Sequence, residues 1–476
     1  NAKEIRISGC IYNDKNENGL KDKREQGIKN IPVSDGKQIV FTNSKGIYSL
    51  KTTTGNSIFP ILPSVYSFSV KQGKVFNSNY KYLSANINND ILNFSLVKKK
   101  RANLAFSFSA VGDIQVSNDT ELNYAAKSIG AELASAGNFE FNLLLGDLVN
   151  DNPSLLPSMK GFFSNFHSPT WTVYGNHDRF VIDSTTTDEA FNQTFGASVY
   201  AFNRGLVHFI VLNSISSKGQ KGYEGRFSDD QFEFVKNDLK LVPENHLIVI
   251  SQHIPLKHIK NGQLLLDLLA DRKQVLILSG HTHTTERYFH NIKGGLVHEI
   301  GVGASCGNWW TGEKNAFGVP VALMQCGSLP NYYVIDINKN KYSFRYKGIG
   351  QDSDNQMGIW SETSASKEKN DSIQILANIF GGSDSTIVTL RLNNEDQIMM
   401  KKAKVISPNV EQLVDKNKAN IYPTTGNTRN PIRKSPSPHI WAINLPHLLP
   451  GTHLVEIIAS DRFGLSVTQK QLIYIP

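Results

Sequence analysis

Between residues 102 and 350, almost every apolar run that reads as a buried strand stops at a polar cluster, and helical stretches separate the runs. LAFSFSAVGD ends at Asp113, FNLLLGDLVN reaches Asp147, and PTWTVYGNHD ends at Asn176, His177 and Asp178. HLIVISQHIP carries His253, and KQVLILSGHTH carries His281 and His283. Among these runs, TELNYAAKSIGAELAS, SDDQFEFVKNDLKLV and LLLDLLADR space their apolar residues as helices do. Strands without polar alternation belong to sheets covered on both faces, so the segment predicts an α/β core. Ligands of such sheets sit at the carboxyl ends of the strands, which brings residues from positions 113 to 283 to one place.

The segments on either side read differently. Up to about residue 99, short alternating strands such as EIRISGCIY, KQIVFTN and GIYSL are divided by Gly, Asn and Pro turns, and from 352 onward WAINLP and QLIYIP continue the same texture. The expected domains are 1–99, 102–350 and 352–476, and a chain of 476 residues is more than one core usually serves. No run approaches the roughly 20 apolar residues that span a bilayer. The net charge of +8 is scattered, and its one tight run, KKKR at 98–101, reads as a solvated linker rather than a nucleic-acid site. Cys10, Cys306 and Cys326 make no CxxC and no disulfide framework.

Singly, the polar residues are weak signals, because a strand-terminal Asp more often caps a turn than holds a metal. Together, two Asp, one Asn and three His are the mixed oxygen and nitrogen set that suits borderline divalent ions such as Mn, Fe, Zn or Ni. A second cation loop is spelled in DKNENGLKDKRE. Asp14, Asn16, Asn18, Asp22 and Glu25 fall at loop positions 1, 3, 5, 9 and 12 with Gly19 at position 6, the calcium-loop spacing. A strand precedes it rather than a helix, so calcium and a plain solvated turn stand side by side.

The order GDxQ, GDLVND, GNHD, QH, GHTH resembles the calcineurin-like metallophosphoesterase family over the middle 250 residues or so. The resemblance implies a central α/β/β/α sandwich, here flanked by two all-β sandwich domains. It implies that Asp147 bridges two metals, that Asp113 and His283 complete the first, and that Asn176, His253 and His281 complete the second. The usual DxH is DIQ here, so Gln115 is either a weak, hard ligand or a donor to a metal-bound water. The implied reaction is phosphomonoester or phosphodiester hydrolysis by a metal-bridging hydroxide, with His177 as general acid oriented by Asp151 or Asp178.

Substrate contacts are expected from loops. Trp309 and Trp310 in GASCGNWWTG would stack on a base or sugar, unless one of them packs beneath the loop; Tyr223, Glu224 and Arg226 in GYEGR would reach the phosphate, unless they only begin a helix. His208 and His258 read as structural. The expected substrate is a phosphorylated small molecule, nucleotide or lipid, and a monomer is favoured. The N-terminal segment is similar to prealbumin-like β-sandwiches of exported bacterial proteins, which implies a periplasmic or envelope setting. The competing reading is a catalytically weak or inactive binding or adhesive module that retains the fold.

Overall fold

Every residue of Val207–Val211, Leu247–Ser251 and Val275–Ser279 is buried. These strands lie parallel, Gly295–Val302 continues the parallel set, and Tyr200–Arg204 and Thr285–Ile292 close the two edges antiparallel. The continuous apolar runs are thus the inner strands of a six-stranded sheet, as burial on both faces requires. A second, five-stranded sheet sets Thr170–Thr172, Phe139–Leu144 and Ala105–Val111 parallel, with Asn331–Asn338 and Lys341–Gly348 antiparallel beyond them. The structure is a computed structural model and describes residues 2–68, 79–87, 91–136, 139–181, 187–361, 372–418, 432–446 and 448–475.

Aromatic rings join the two sheets face to face. Phe108 and Phe141 meet Phe209 edge-on at 5.5 and 5.3 Å, and Trp171 stacks on Phe202 at 4.1 Å. The helices fall between strands in the chain. One begins at Asp119, where the Asn118 side chain accepts the Glu121 N–H, and runs through a π turn at Ala126–Gly130 into Ala131–Ser135. Another, Asp229–Leu239, is capped in the same way by Ser228.

Two four-stranded sheets make each flanking unit. In the first, Glu4–Asn13 pairs antiparallel with Ile47–Thr53 and parallel with Phe94–Lys98. In the last, Ile373–Ile379 pairs with Ile440–Leu445, and Gly451–Ser460 with Ser466–Ile475. The last unit also holds a helix, Pro408–Lys418, which an all-β reading does not anticipate. Its Val410 and Val414 bury against Leu323 and Ile432 in a small cluster of their own. Apart from that cluster, buried apolar residues from Ile7 to Ile473 form one contiguous core through all three units. Separate cores were expected; the units are instead packed onto one another. No helix among the described residues is long and apolar enough to cross a membrane.

One local expectation changes. Lys99, in the run read as a solvated linker, holds Glu140 of the central unit at 3.1 Å, and Arg204 approaches the same carboxylate at 3.4 Å. In the 14–25 loop, Asp14 accepts the N–H groups of Asn18 and Gly19 at 3.2 and 2.8 Å, and Glu25 those of Lys15 and Asp22 at 2.8 and 3.1 Å. Asp22 receives the side-chain amides of Asn16 and Asn18 at 2.8 and 3.0 Å. These bonds gather the loop's side-chain oxygens around one turn.

Candidate metal centre

The strand-end residues converge. Asp147 is buried beneath the centre, with its Oδ1 accepting the His177 N–H at 2.8 Å and its Oδ2 facing His253 Nε2 at 3.1 Å. Asn176 Oδ1 lies 3.1 Å from the same His253 nitrogen. Ligand atoms of Asp147, His253 and His281 all come within 4.8 Å of one another. Asp113, wholly buried, accepts the His281 N–H at 3.0 Å and faces His283 Nε2 at 3.6 Å.

The residues fit divalent cations, and the hydrogen bonds behind them show why. His253 Nδ1 donates to the Leu145 carbonyl at 2.7 Å and His283 Nδ1 to the Gly307 carbonyl at 2.6 Å. Each bond commits Nδ1 as the donor, so in both rings Nε2 is the atom turned toward the carboxylates, where a cation would take the place of any proton it carries. Burial pushes the Asp113 carboxyl up to about 8, the Asp147 charge adding to it. Burial pushes His281 down to about 3 and His283 down to about 4, which keeps both rings neutral. Burial also opposes charge on Asp147, but the facing His253 and His177 rings outweigh it and hold its carboxyl low. Buried carboxylates, an amide oxygen and imidazole nitrogens gathered at one place are a donor set that fits divalent cations.

The backbone is strained where the ligands sit. Fourteen non-glycine residues among those described have left-handed φ, and eight are Asp113, Gln115, Asp147, Asp151, His281, His283, Trp309 and Trp310. Such concentration marks a functional centre, because packing must hold each unfavourable conformation in place. The glycines before the ligands serve the same crowding. A Cβ on Gly175 would lie 2.1 Å from the Asp147 nitrogen, and one on Gly146, at φ +92°, 2.6 Å from His253 Nδ1.

His177 stands at the rim with its ring half-buried and its Nδ1 bonded to Asp151 Oδ1 at 2.9 Å. Burial alone would lower its pKa; the charges of Asp147 and Asp151 raise it instead. Asp178 does not orient this ring. Its Oδ1 accepts the N–H groups of Leu148 and Val149 at 2.8 and 3.0 Å, and its Oδ2 that of Gly175 at 2.9 Å, so it ties two ligand loops together. A buried carboxylate is drawn to free amides, and three of them surround this one.

The loop residues also sort themselves. Trp310 is buried, its Nε1 donating to the Ile114 carbonyl at 2.9 Å, so it packs beneath the loop and does not meet substrate. Trp309 stacks on the His283 ring at 4.1 Å. Tyr223 stands edge-on to His281 with centroids 6.2 Å apart. Arg226, expected at the phosphate, lines a cleft with Lys37, Asn56 and Asp230 instead, and Glu224 is held by Lys218 and Lys260. Gln115 is buried, with its Nε2 3.4 Å from Asn150 Oδ1 and its Oε1 3.9 Å from Cys306 Sγ. His208 is structural, bonded to Asp238 at 2.6 Å and Asn203 at 2.8 Å.

Two residues escaped the sequence reading. Arg179 directly follows GNHD, and its Nε donates to the Asn176 carbonyl at 2.7 Å; adjacency to the motif was its only signal. Glu299, deep in a strand, accepts the Leu256 N–H at 3.0 Å, the Ser279 hydroxyl at 2.8 Å and His290 Nε2 at 2.7 Å. It braces the loops after His253 and before His281, and nothing in its sequence context announces this.

Three family models match the chain in succession: the N terminal of Calcineurin-like phosphoesterase at residues 15–99, Calcineurin-like phosphoesterase at 106–285, and the C terminal of Calcineurin-like phosphoesterase at 299–466. No curated protein matches it. Among solved structures, a purple acid phosphatase from yellow lupin (Lupinus luteus) seeds is 13% identical over 73% of this chain and 67% of its own, with a TM-score of 0.38. The sulfate thiohydrolase SoxB of Thermus thermophilus is 12% identical over 52% of this chain and 57% of its own, with a TM-score of 0.30. Vps29 of Chaetomium thermophilum is 13% identical over 62% and 96%, with a TM-score of 0.24.

Proposed function

The chain belongs to the calcineurin-like phosphoesterases, a family of metal-dependent hydrolases, and from that premise we propose that it hydrolyses a phosphomonoester or phosphodiester bond at the centre built on Asp147. One observation carries the reading: the Asp147 carboxylate is shared, one oxygen turned to the loop of His177 and the other to His253 and its Asn176 neighbour. Asp113, Asp147 and His283 would hold one cation, and Asp147, Asn176, His253 and His281 the other. Two divalent cations bound there supply Lewis acidity, which makes water acidic near neutral pH and offsets phosphoryl charge.

The chain's own residues do the rest. Asp151 takes the Nδ1–H of His177, which directs Nε2 outward, and the charges of Asp147 and Asp151 favour a proton on that nitrogen. Nε2–H is placed to protonate the departing oxygen, worth about 10²- to 10⁴-fold. Leu145 and Gly307 keep the ligand imidazoles in the right tautomer, and Trp309 covers His283. An exported setting is part of the same reading, supported by the likeness of the N-terminal segment.

The test is hydrolysis of a nitrophenyl phosphate monoester and the matching bis-ester with added Mn, with Asp147→Asn beside the wild type. The expected outcome is turnover by the wild type that falls to background in the variant, since the substitution takes charge from both cation positions. Equal activity in the two proteins would overturn the assignment.

A further inference from the structure

We propose that Arg179, together with the Tyr223 hydroxyl, grips the phosphoryl oxygen that carries a substrate's second negative charge, so that the centre favours dianionic monoesters over monoanionic diesters. This rests on the phosphoesterase reading above.

Arg179 is half-buried, and its guanidinium is fixed from three sides. Its Nε donates to the Asn176 carbonyl at 2.7 Å, its Nη1 donates to the Gly222 carbonyl at 2.7 Å, and its Cζ lies over the Tyr223 ring, 5.0 Å from the centroid. A guanidinium has five N–H donors, so those two bonds leave it others to give. No carboxylate pairs with Arg179 among the described residues. A half-buried cation held rigid by neutral carbonyls, with its charge unanswered, is poised for an anion that arrives from outside.

The anion it would meet is at the centre. Arg179 is anchored on the backbone of Asn176, whose side chain faces His253, and its stacking partner Tyr223 stands against His281. The Tyr223 ring thus sits between the Arg179 guanidinium and the His281 ring. Other nearby cations are engaged: Lys218 and Lys260 by Glu224, and Lys257 by Glu286. Arg226 lines the cleft with Lys37 and Asp230. The centre thus has two unlike walls, an aromatic one at Trp309 beside His283 and a cationic one at Arg179 and Tyr223 beside His281. A group that needs both a charge and a hydrogen bond is recognised by the second.

The experiment compares wild type, Arg179→Gln, Arg179→Lys and Tyr223→Phe as full-length, Mn-loaded proteins with measured Mn content. It reads kcat and KM on the nitrophenyl monoester and bis-ester, and binding of inorganic phosphate by calorimetry. Loss of one charged hydrogen-bonding group should weaken phosphate binding and raise the monoester KM by about ten- to a hundredfold. The bis-ester KM should change much less, Arg179→Lys should recover part of the loss, and Tyr223→Phe should give a smaller effect of the same kind. Equal losses on both esters, or unchanged phosphate binding with Mn retained, would overturn the proposal. Wild type inactive on both esters would sink the phosphoesterase reading instead, and calorimetry would still decide whether Arg179 holds phosphate.

Discussion

At the scale of single residues, the centre works by commitment of one side of each group. His253 and His283 spend Nδ1 on carbonyls and leave Nε2 facing the carboxylates, and His177 spends Nδ1 on Asp151, which in the proposed reaction leaves Nε2 for the substrate. The His177–Asp151 pair makes a signed prediction. The Asp151 charge is among those that raise the His177 pKa, so Asp151→Asn should lower it. A general acid must be protonated, so the alkaline limb of the kcat profile should move to lower pH, and kcat at neutral pH should fall by part of the 10²- to 10⁴-fold that such an acid supplies. A pH–rate profile of the variant checks this; an unmoved limb would take His177 out of proton transfer.

Among the elements, the segment after Gly295–Val302 does two jobs with adjacent residues. Trp310 turns inward to the Ile114 carbonyl while Trp309 turns outward onto His283, and both have left-handed backbone. The pair should therefore separate on mutation. Trp310→Ala removes a buried indole and should cost about 3–5 kcal/mol of stability, read by denaturant unfolding. Trp309→Ala should leave the unfolding midpoint nearly unchanged and weaken Mn binding, because His283 loses its stacked cover; a titration of the apoprotein with Mn measures it.

Over the whole molecule, the C-terminal unit reaches back to that same segment. Asn378 and Ser437 both donate to the Cys326 carbonyl at 2.9 Å, and Asn409 donates to the Gly327 carbonyl at 3.0 Å. A second clamp is ionic: Arg287 of the central unit pairs with Asp461 of the last, both side chains nearly inaccessible, and Arg287 also donates to His298 Nε2 at 2.8 Å. Breaking a buried pair strands the remaining charge. Asp461→Ala should thus destabilise the protein by about 3–5 kcal/mol, with the melting transition falling as one event because the core is shared. A variant that melts in two separated steps would show that the units fold independently.

The α/β core, its flanking β units and the convergence of Asp113, Asp147, Asn176, His253, His281 and His283 were all legible in the sequence. Apolar runs report burial on both faces, and a parallel sheet puts their polar ends together whatever lies between. Legibility ended where a role depends on which way a side chain turns. Asp151 and Asp178 are equal on paper, but only the fold surrounds Asp178 with three amides and leaves Asp151 beside the His177 ring. Trp309 and Trp310 are neighbours of one kind, separated by which side of the loop each faces. Arg226, read either as a phosphate contact or as the entry to a helix, lines a cleft with Lys37 and Asp230, and Arg179 carried no signal but its place after GNHD, because its link to His281 passes through Tyr223 and not along the chain. Periodicity along a sequence encodes exposure; the partner of each polar atom is set by contacts between distant segments, and that is what the tertiary structure decided.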